Sequence, residues 1–311
     1  MDNPAIIFPG QGAQTVGMGR SLIEAMPSCA DRFTEASDIL GFDLAKVCFE
    51  GPEEELTRSD RAQPAIFVVS MIAWEALRER TGVEVTAVAG LSSGEWAALC
   101  AAGVVCFEDA IRILEVRGRV MQEACQQGEG GMLGVIGLED DICAEIAKEA
   151  GIEVANYNSP GQVVLSGSQE GVAVAESIAK ERGARRALPL PVAGAFHSSL
   201  MKPAADAFSE YLVNVTFSAP AIPVLSNVTG LPHEGVSDIR EKMGEQITGS
   251  VQWVKNTRWL VENGYITLVE CGPGKVLSGL VKRIDKTVSV HNVNDSGSLD
   301  TTAEALANQN G

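Results

Sequence analysis

The sequence predicts an α/β fold in which a small α+β unit is inserted into a larger domain. Short apolar strands alternate with longer helical stretches along most of the 311 residues. A Val- and Ala-rich strand runs directly into a GxSxG turn and then into a helix. Near the middle of the chain, elements in the order β-α-β-β-α-β fit into about 60 residues. The first two features predict the larger domain, and the third predicts the insertion.

The N-terminal part of the larger domain is predicted from strands that end in glycine-containing turns. Residues 5–8 are apolar and predict a buried strand, and Pro9-Gly10-Gln11-Gly12 predicts the turn after it. The next elements are predicted as a helix over 65–80, beginning after Gln63-Pro64, a strand over 83–89, and helices over 95–102 and 111–124.

The inserted unit has the element order of a ferredoxin-like domain. Its strands are predicted over 132–136, 153–157, 163–166 and 186–190, and its helices over 139–150 and 170–182. The two segments that flank this unit have glycine or proline at both ends, so they are suitable linkers to the larger domain. We therefore expect a small domain over residues 128–193 and a larger domain made of residues 1–127 and 194–311.

After the insertion, the pattern of the larger domain returns. Helices are predicted over 201–213, 238–247, 254–262 and 276–283, and strands over 222–226 and 266–270. The residues from 294 onward are rich in Asn, Ser, Gly and Thr, and we expect this tail to be loosely ordered.

The composition predicts a soluble globular protein of a reducing compartment. The net charge is −17, which argues against a nucleic-acid partner because phosphates attract basic surfaces. The seven cysteines form no CxxC pair, so we expect neither a disulfide framework nor a zinc site. No apolar stretch reaches the about 20 residues of a membrane span, and no signal-peptide pattern opens the chain. We expect a cytoplasmic monomer without a membrane partner.

Ser92 is the candidate nucleophile. It is the central residue of Gly90-x-Ser92-x-Gly94, between a predicted strand and a predicted helix. A tight strand-to-helix turn projects a serine hydroxyl from the backbone, and N–H groups at the start of the helix can stabilise an oxyanion. The alternative is an ordinary strand-to-helix turn in which Ser92 caps the helix.

His197 is the candidate base among the three histidines of the chain. His233 lies among Gly and Pro residues typical of a surface turn, and His291 follows a Val-rich strand near the end of the chain. His197 lies where the inserted unit rejoins the larger domain, and domain junctions are favoured places for ligands. A structural histidine is the alternative at this position.

Five separate segments carry a resemblance to a known family. They are Ile6 to Gln14, Gly90 to Glu95, Asn158 to Gln162, Gly194 to His197 and Glu270 to Leu277. In this order they resemble the malonyl-CoA:acyl carrier protein transacylases. The resemblance implies an α/β-hydrolase-like large domain with an inserted ferredoxin-like small domain. It also implies malonyl transfer from malonyl-CoA to acyl carrier protein for fatty acid synthesis, without a cofactor.

The resemblance implies catalytic roles for five residues. Ser92 would carry the malonyl group as an ester, and His197 would remove and return its proton. The backbone carbonyl of Gln246 would orient His197, so the reaction would need no acidic third residue. Backbone N–H groups of Gln11 and Ser93 would form the oxyanion hole.

The resemblance also implies a substrate site. Arg117 would pair with the free malonyl carboxylate, which a guanidinium fork matches. Asn158 and Phe196 would contact the substrate, and the bulk of Phe196 would favour malonyl over methylmalonyl. From the residues alone, Arg117 reads equally well as a solvated helix arginine, Asn158 as a brace of its loop and Gln11 as a turn residue.

Two residues beside the nucleophile depart from the family pattern. Leu91 stands where the family often has His, and Ser93 stands where it usually has a larger apolar residue. Because the oxyanion donor at position 93 would be a backbone N–H, we expect the Ser93 side chain to matter little.

Three alternatives to a free-standing transacylase remain at this point. A serine hydrolase would use the same elbow, a non-catalytic relative would only bind acyl-CoA or carrier protein, and a polyketide synthase acyltransferase would share the motifs. The Met start and the tail favour the free-standing form.

An acidic carrier protein needs a local basic surface on a chain of charge −17. The candidates for that surface are Lys202, Lys275, Lys282, Arg283 and Lys286.

Overall fold

A computed structural model describes residues 4–127, 130–192 and 194–309 of the chain. Residues 128, 129 and 193, at the predicted domain boundaries, lie outside the described residues. Within the described ranges, no helix combines the length and the hydrophobicity that crossing a bilayer requires.

Nine strands and fourteen α-helices are found in the described residues. The strands are β1 Ala5–Phe8, β2 Val88–Gly90, β3 Gly130–Ile136, β4 Glu153–Ser159, β5 Gln162–Ser168, β6 Arg186–Pro189, β7 Val224–Leu225, β8 Thr267–Cys271 and β9 Ser289–Val293. The helices are α1 Arg20–Ala25, α2 Asp31–Leu40, α3 Leu44–Glu50, α4 Glu53–Leu56, α5 Ser59–Thr81, α6 Glu95–Ala101, α7 Phe107–Gln127, α8 Asp140–Glu149, α9 Gln169–Glu181, α10 Lys202–Leu212, α11 Val236–Glu245, α12 Trp253–Glu262, α13 Val276–Ile284 and α14 Ser296–Gln309.

The larger sheet is parallel and has the strand order β7-β2-β1-β8-β9. Its central strands are buried throughout, as expected for a parallel sheet covered by helices. Strands β1 and β2 are apolar, whereas β8 also contains Thr267 and Glu270. Phe8 at the end of β1 pairs with Gly90 at the end of β2. The turns after these two strands therefore leave the sheet at the same edge, where ligands bind in open α/β sheets.

The smaller sheet is antiparallel and has the strand order β4-β5-β3-β6. If β3 to β6 are renumbered 1 to 4 along the chain, the strand order is 2-3-1-4, which is that of a ferredoxin-like domain. Helices α8 and α9 pack against it, and Leu133, Ile146, Leu165 and Ala175 belong to their common core. The mixed α/β fold predicted from the sequence, with a parallel and a small antiparallel sheet, is confirmed.

The chain divides into two compact units, each with its own sheet. The first contains the described parts of Met1–Gly118, Thr216–Leu225 and Arg258–Gly311, with the parallel sheet. The second contains Arg119–Val215 and Ser226–Thr257, with the antiparallel sheet. The second unit is larger than residues 128–193, because it also holds α10, α11 and the start of α12. The domain bounds given by composition stay a prediction.

Several predicted elements differ from the structure. The strand predicted over 83–89 is the shorter β2, Val88–Gly90, and helices α1 to α4 were not predicted. Helix α5 begins at Ser59 and continues through Pro64, whereas the sequence predicted a start after the proline. Pro64 removes one N–H donor, but the turns before it are held by burial of Ser59, Ala62 and Gln63. The expectation of a loose tail is wrong. Asp295 caps α14 by accepting the Ser298 N–H at 2.7 Å.

Candidate active site

The backbone at Ser92 is strained in the way a nucleophile elbow requires. After β2, the Leu91 N–H donates to the Phe8 carbonyl at 3.0 Å, and residues Ser92–Gly94 form a 3₁₀ turn that leads into α6. Ser92 has φ 53°, in the left-handed region that non-glycine residues rarely adopt. Among the described non-glycine residues, only Ser92 and His197 have positive φ. Such strain is typical of functional positions.

Glycine is needed around Ser92 because backbone segments approach closely there. A Cβ on Gly94 would lie 2.4 Å from the Phe8 carbonyl oxygen, and one on Gly90 would lie 2.0 Å from the Gly94 carbonyl oxygen. Neither neighbour is the end of a flexible side chain. The GxSxG spacing therefore lets the elbow pack on the end of β1.

Gln11 lies beside the elbow through both its backbone and its side chain. Its backbone N–H donates to Ser93 Oγ at 3.2 Å. Its side-chain Nε2 donates to Ser59 Oγ at 3.1 Å, and its Oε1 accepts from Gln63 Nε2 at 3.2 Å. The turn after β1 is thus hydrogen-bonded to both the elbow and the start of α5.

Arg117 is a buried cation next to the nucleophile. Its exposed fraction is 1%, so a solvated helix arginine is excluded. Its Nη1 donates to Gln63 Oε1 at 2.7 Å, and its Nη2 donates to Ser92 Oγ at 3.3 Å. Burial lowers the pKa of Arg117 to about 10, while the charge of Glu95 acts in the opposite direction. The guanidinium therefore stays charged at neutral pH.

Gln63 is a site residue that the sequence reasoning missed. Its exposed fraction is 1%, and its amide connects Arg117 to Gln11. The local signal was a polar residue at the start of a strongly apolar helix, directly before Pro64. A buried glutamine with two polar partners fixes the orientation of both.

His197 is held by two backbone carbonyls of its own unit. Its exposed fraction is 4% and its φ is 57°. Its Nδ1 lies 2.8 Å from the Gln246 carbonyl oxygen and 3.1 Å from that of Gly249. Because carbonyls only accept, Nδ1 carries a proton, and in the neutral ring Nε2 is the nitrogen with a lone pair. This is the tautomer of a general base.

The two other predicted substrate residues also lie in the second unit. Phe196 directly precedes His197 and is 8% exposed. Asn158 is on β4, and its Oδ1 is buried with no hydrogen-bond partner in the described part of the chain. A buried carbonyl oxygen of this kind can accept from a ligand.

The remaining histidines have structural surroundings. His233 is buried, not exposed as its turn composition suggested, and its Nδ1 lies 2.8 Å from the Asp238 carboxylate. His291 lies on β9 beside Ser289, with its Nε2 3.0 Å from the serine hydroxyl. Within the described residues, no group of three or more His, Cys, Asp or Glu side chains is arranged to hold a metal ion.

Comparison with known proteins gives one consistent result. The acyl transferase domain family matches residues 5–301. A malonyl CoA-acyl carrier protein transacylase of Salmonella typhimurium is 42% identical over 95% of this chain and 97% of its own. The protein of that name from Bacillus subtilis is 39% identical over 100% of this chain and 99% of its own. The structure of a type II PKS acyl-carrier protein in complex with its malonyl-transacylase superposes with a TM-score of 0.95, at 41% identity, over 97% and 99% of the two chains.

Proposed function

Because the chain belongs to the acyl transferase domain family, we propose that it transfers malonyl from malonyl-CoA to the phosphopantetheine thiol of acyl carrier protein. Its full-length relatives carry that activity in their names. The observation that carries the proposal is the buried guanidinium of Arg117, 3.3 Å from Ser92 Oγ. A fixed cation beside an acyl-accepting serine selects an acyl group that ends in a carboxylate.

The first half-reaction makes a malonyl-serine ester. Ser92 Oγ attacks the thioester carbonyl carbon while His197 Nε2 takes the hydroxyl proton. The carbonyl oxygen becomes an oxyanion, which the backbone N–H groups of Gln11 and Ser93 stabilise. The C–S bond then breaks, and coenzyme A leaves with the proton from His197.

The second half-reaction reverses these roles for a new thiol. His197 Nε2 takes the proton of the carrier phosphopantetheine thiol, and the sulfur attacks the ester carbonyl carbon. The C–O bond to Ser92 breaks, and the serine oxygen recovers the proton from His197. The carbonyls of Gln246 and Gly249 keep the histidine in the required tautomer.

Substrate choice follows from the groups around the acyl chain. Both Nη atoms of Arg117 can donate to the malonyl carboxylate, which replaces the single contact with Ser92 Oγ. Phe196 limits the room beside the α-carbon, which disfavours methylmalonyl. Asn158 Oδ1 supplies a further acceptor to the substrate.

The proposal also covers the pathway, the cofactor requirement, the compartment and the partners of the protein. The malonyl group supplies extender units for fatty acid synthesis. Acyl transfer between thiols through a serine ester needs no redox group or electron sink, so no cofactor is involved. All seven cysteines are free thiols, which supports a reducing cytoplasm. The acidic charge of −17 supports the absence of a nucleic-acid partner, and we treat the chain as a monomer.

Helix α13 offers a surface for the carrier protein. Gly279, Lys282 and Arg283 are exposed residues of α13, and the exposed Lys275 and Lys286 lie just before and just beyond the helix. We call the four basic residues Lys275, Lys282, Arg283 and Lys286 the α13 stripe. Burial lowers the pKa of His291, and the charge of Lys282 acts in the same direction. Lys202, on the second unit, is exposed and pairs with Asp206. We assign docking of the acidic carrier to the α13 stripe, with Lys202 as a further candidate.

The experiment that tests the proposed function is intact-protein mass spectrometry. Mixing with malonyl-CoA should add one malonyl group to the wild-type protein and none to Ser92→Ala. Adding carrier protein should discharge the adduct quickly, while water discharges it slowly. Rapid discharge to water would indicate a hydrolase instead. No adduct would contradict acyl transfer and return Ser92 to the role of a helix cap.

A further inference from the structure

The side chain of Ser93 lies at the proposed oxyanion hole. Ser93 follows the nucleophile in the 3₁₀ turn, and it is 3% exposed. Its Oγ accepts from the backbone N–H of Gln11 at 3.2 Å. A Cβ built on Gly10 would lie 3.5 Å from the same oxygen. The hydroxyl is therefore in contact with the turn that supplies one of the two backbone donors.

Because of this contact, a substrate oxyanion that binds beside the Gln11 N–H can interact with the Ser93 hydroxyl in one of two ways. The N–H of Gln11 already points at Ser93 Oγ, so a substrate oxyanion must either compete with the hydroxyl or receive its proton. The 3.2 Å distance is at the long end of the normal range, so the N–H can be shared. Competition would weaken the hole, whereas donation would add a donor to it.

The hydrogen bonds of Ser93 favour donation from its hydroxyl to the oxyanion. Within the described residues, the Ser93 hydroxyl accepts from Gln11 and donates to no protein group. A buried hydroxyl normally donates as well as accepts, and an unused donor is costly when water is excluded. An oxyanion arriving beside Gln11 supplies the missing acceptor. Accepting from an N–H also polarises the O–H bond and strengthens it as a donor.

The geometry points to Ser93 Oγ as a third oxyanion donor. The Gln11 N–H is shared between Ser93 Oγ and the thioester oxygen, and the Ser93 hydroxyl donates its own proton to that oxygen. Ser93 thus acts as a catalytic residue through its side chain as well as through its backbone N–H. This revises the expectation that the side chain at position 93 matters little. The inference rests on the proposed acyl transfer, since it concerns the oxyanion of that reaction.

The direct test is rapid-quench measurement of malonyl-Ser92 formation and discharge in Ser93→Ala and Ser93→Thr. Both half-reactions pass through an oxyanion in the same hole. Loss of the hydroxyl should therefore slow both of them by on the order of 10²-fold, with the Kd for malonyl-CoA unchanged. Ser93→Thr keeps the hydroxyl and should restore most of the rate. Melting temperatures check that the variants fold.

A second measurement separates catalysis from packing. A malonyl-CoA analogue with a difluoromethylene ketone, –CF2–C(=O)–, in place of the thioester –S–C(=O)– forms an oxyanion when Ser92 adds to it. Its affinity should fall in Ser93→Ala by the same factor as the acylation rate. A CoA thioether without a carbonyl should bind equally to both proteins. If Ser93→Ala does not fold, Ser93→Cys, a weaker donor, should show the same pattern.

The outcomes distinguish this inference from the proposed function. A wild-type adduct whose formation is unchanged in Ser93→Ala would overturn the inference alone. Faster acylation in Ser93→Ala would also overturn it, because the hydroxyl would then be a competitor for the Gln11 N–H. Absence of an adduct on the wild-type protein would overturn the proposed function and the inference together.

Discussion

Arg117 shows how a single buried side chain can set the chemistry of the site. Its guanidinium contacts both Gln63 and the candidate nucleophile, and burial lowers its pKa to about 10. A cation that has lost its hydration gains more from a carboxylate than a solvated one does. At the residue scale, the proposed preference for a malonyl group rests on this one side chain.

Replacing Arg117 with alanine should separate malonyl transfer from acyl transfer in general. Two charge-assisted hydrogen bonds of about 1.5–3 kcal/mol each would be lost, which lowers kcat/KM for malonyl-CoA by about 10² to 10⁴-fold. Activity on acetyl-CoA should stay the same or rise, because that group has no carboxylate to pair. Steady-state kinetics with both substrates measure the change.

Two further variants control this experiment. Arg117→Lys keeps the charge without the planar fork and should retain only part of the malonyl activity. Arg112→Ala removes an exposed arginine of the same helix, paired with Asp109, and should leave the activity unchanged. An unchanged malonyl preference in Arg117→Ala would remove Arg117 from the substrate site.

Apart from the family resemblance, the sequence singled out individual site residues only where the composition or a local motif marks them. Ser92 stands in a recognisable five-residue motif, and His197 is one of only three histidines. Gln63 stands in no recognisable motif, and its partner Arg117 is 54 positions away. The contact of the Ser93 hydroxyl spans 82 positions. Long-range hydrogen bonds of polar side chains depend on tertiary structure, and periodicity does not report them.

At the scale of elements, the sequence predicted best where burial makes a regular pattern. Strand β1 has the predicted bounds, and α13 differs by one residue because its apolar face is regular. Helix α14 was missed because its polar composition resembles a loose tail. Its buried residues Leu299, Thr302 and Leu306 nevertheless recur at helical spacing, and α14 packs against α5 and β9.

Gly94 and Gly279 give a matched test of the close packing at the elbow. Gly94→Ala places a Cβ 2.4 Å from a backbone carbonyl oxygen, so the elbow must shift. We expect clear destabilisation and a loss of malonyl-adduct formation by at least about 10²-fold, since small misplacements of reacting groups cost that much. Gly279, in α13, has no neighbour within 4 Å of an added Cβ. Gly279→Ala should raise stability by about 0.5–1 kcal/mol.

Urea denaturation and the adduct assay measure both effects. Gly279→Ala serves as the control, because it adds the same methyl group to a helix without affecting the elbow. If Gly94→Ala matched the wild type in stability and adduct formation, the elbow would not depend on this contact, and the explanation of the GxSxG spacing would be wrong.

At the scale of the whole molecule, an acidic enzyme must attract an acidic partner. A net charge of −17 repels a carrier protein at long range, so association depends on a local basic surface within about one Debye length, roughly 8–10 Å at moderate salt. The α13 stripe supplies four exposed basic side chains on one helix and directly beside its ends, Lys275, Lys282, Arg283 and Lys286. Local charge, rather than net charge, then determines the encounter.

Reversing two charges of this stripe tests the docking surface. Lys282→Glu/Arg283→Glu should raise the KM for carrier protein at least about tenfold at low ionic strength, and the difference should shrink as salt is added. Malonyl-adduct formation from malonyl-CoA should be unaffected, because it needs no carrier. Lys46→Glu/Lys148→Glu makes the same change in net charge at exposed positions elsewhere and should raise the KM much less. Equal effects of the two double variants would mean that net charge governs the encounter, and an unchanged KM in the α13 variant would exclude this stripe as the docking surface.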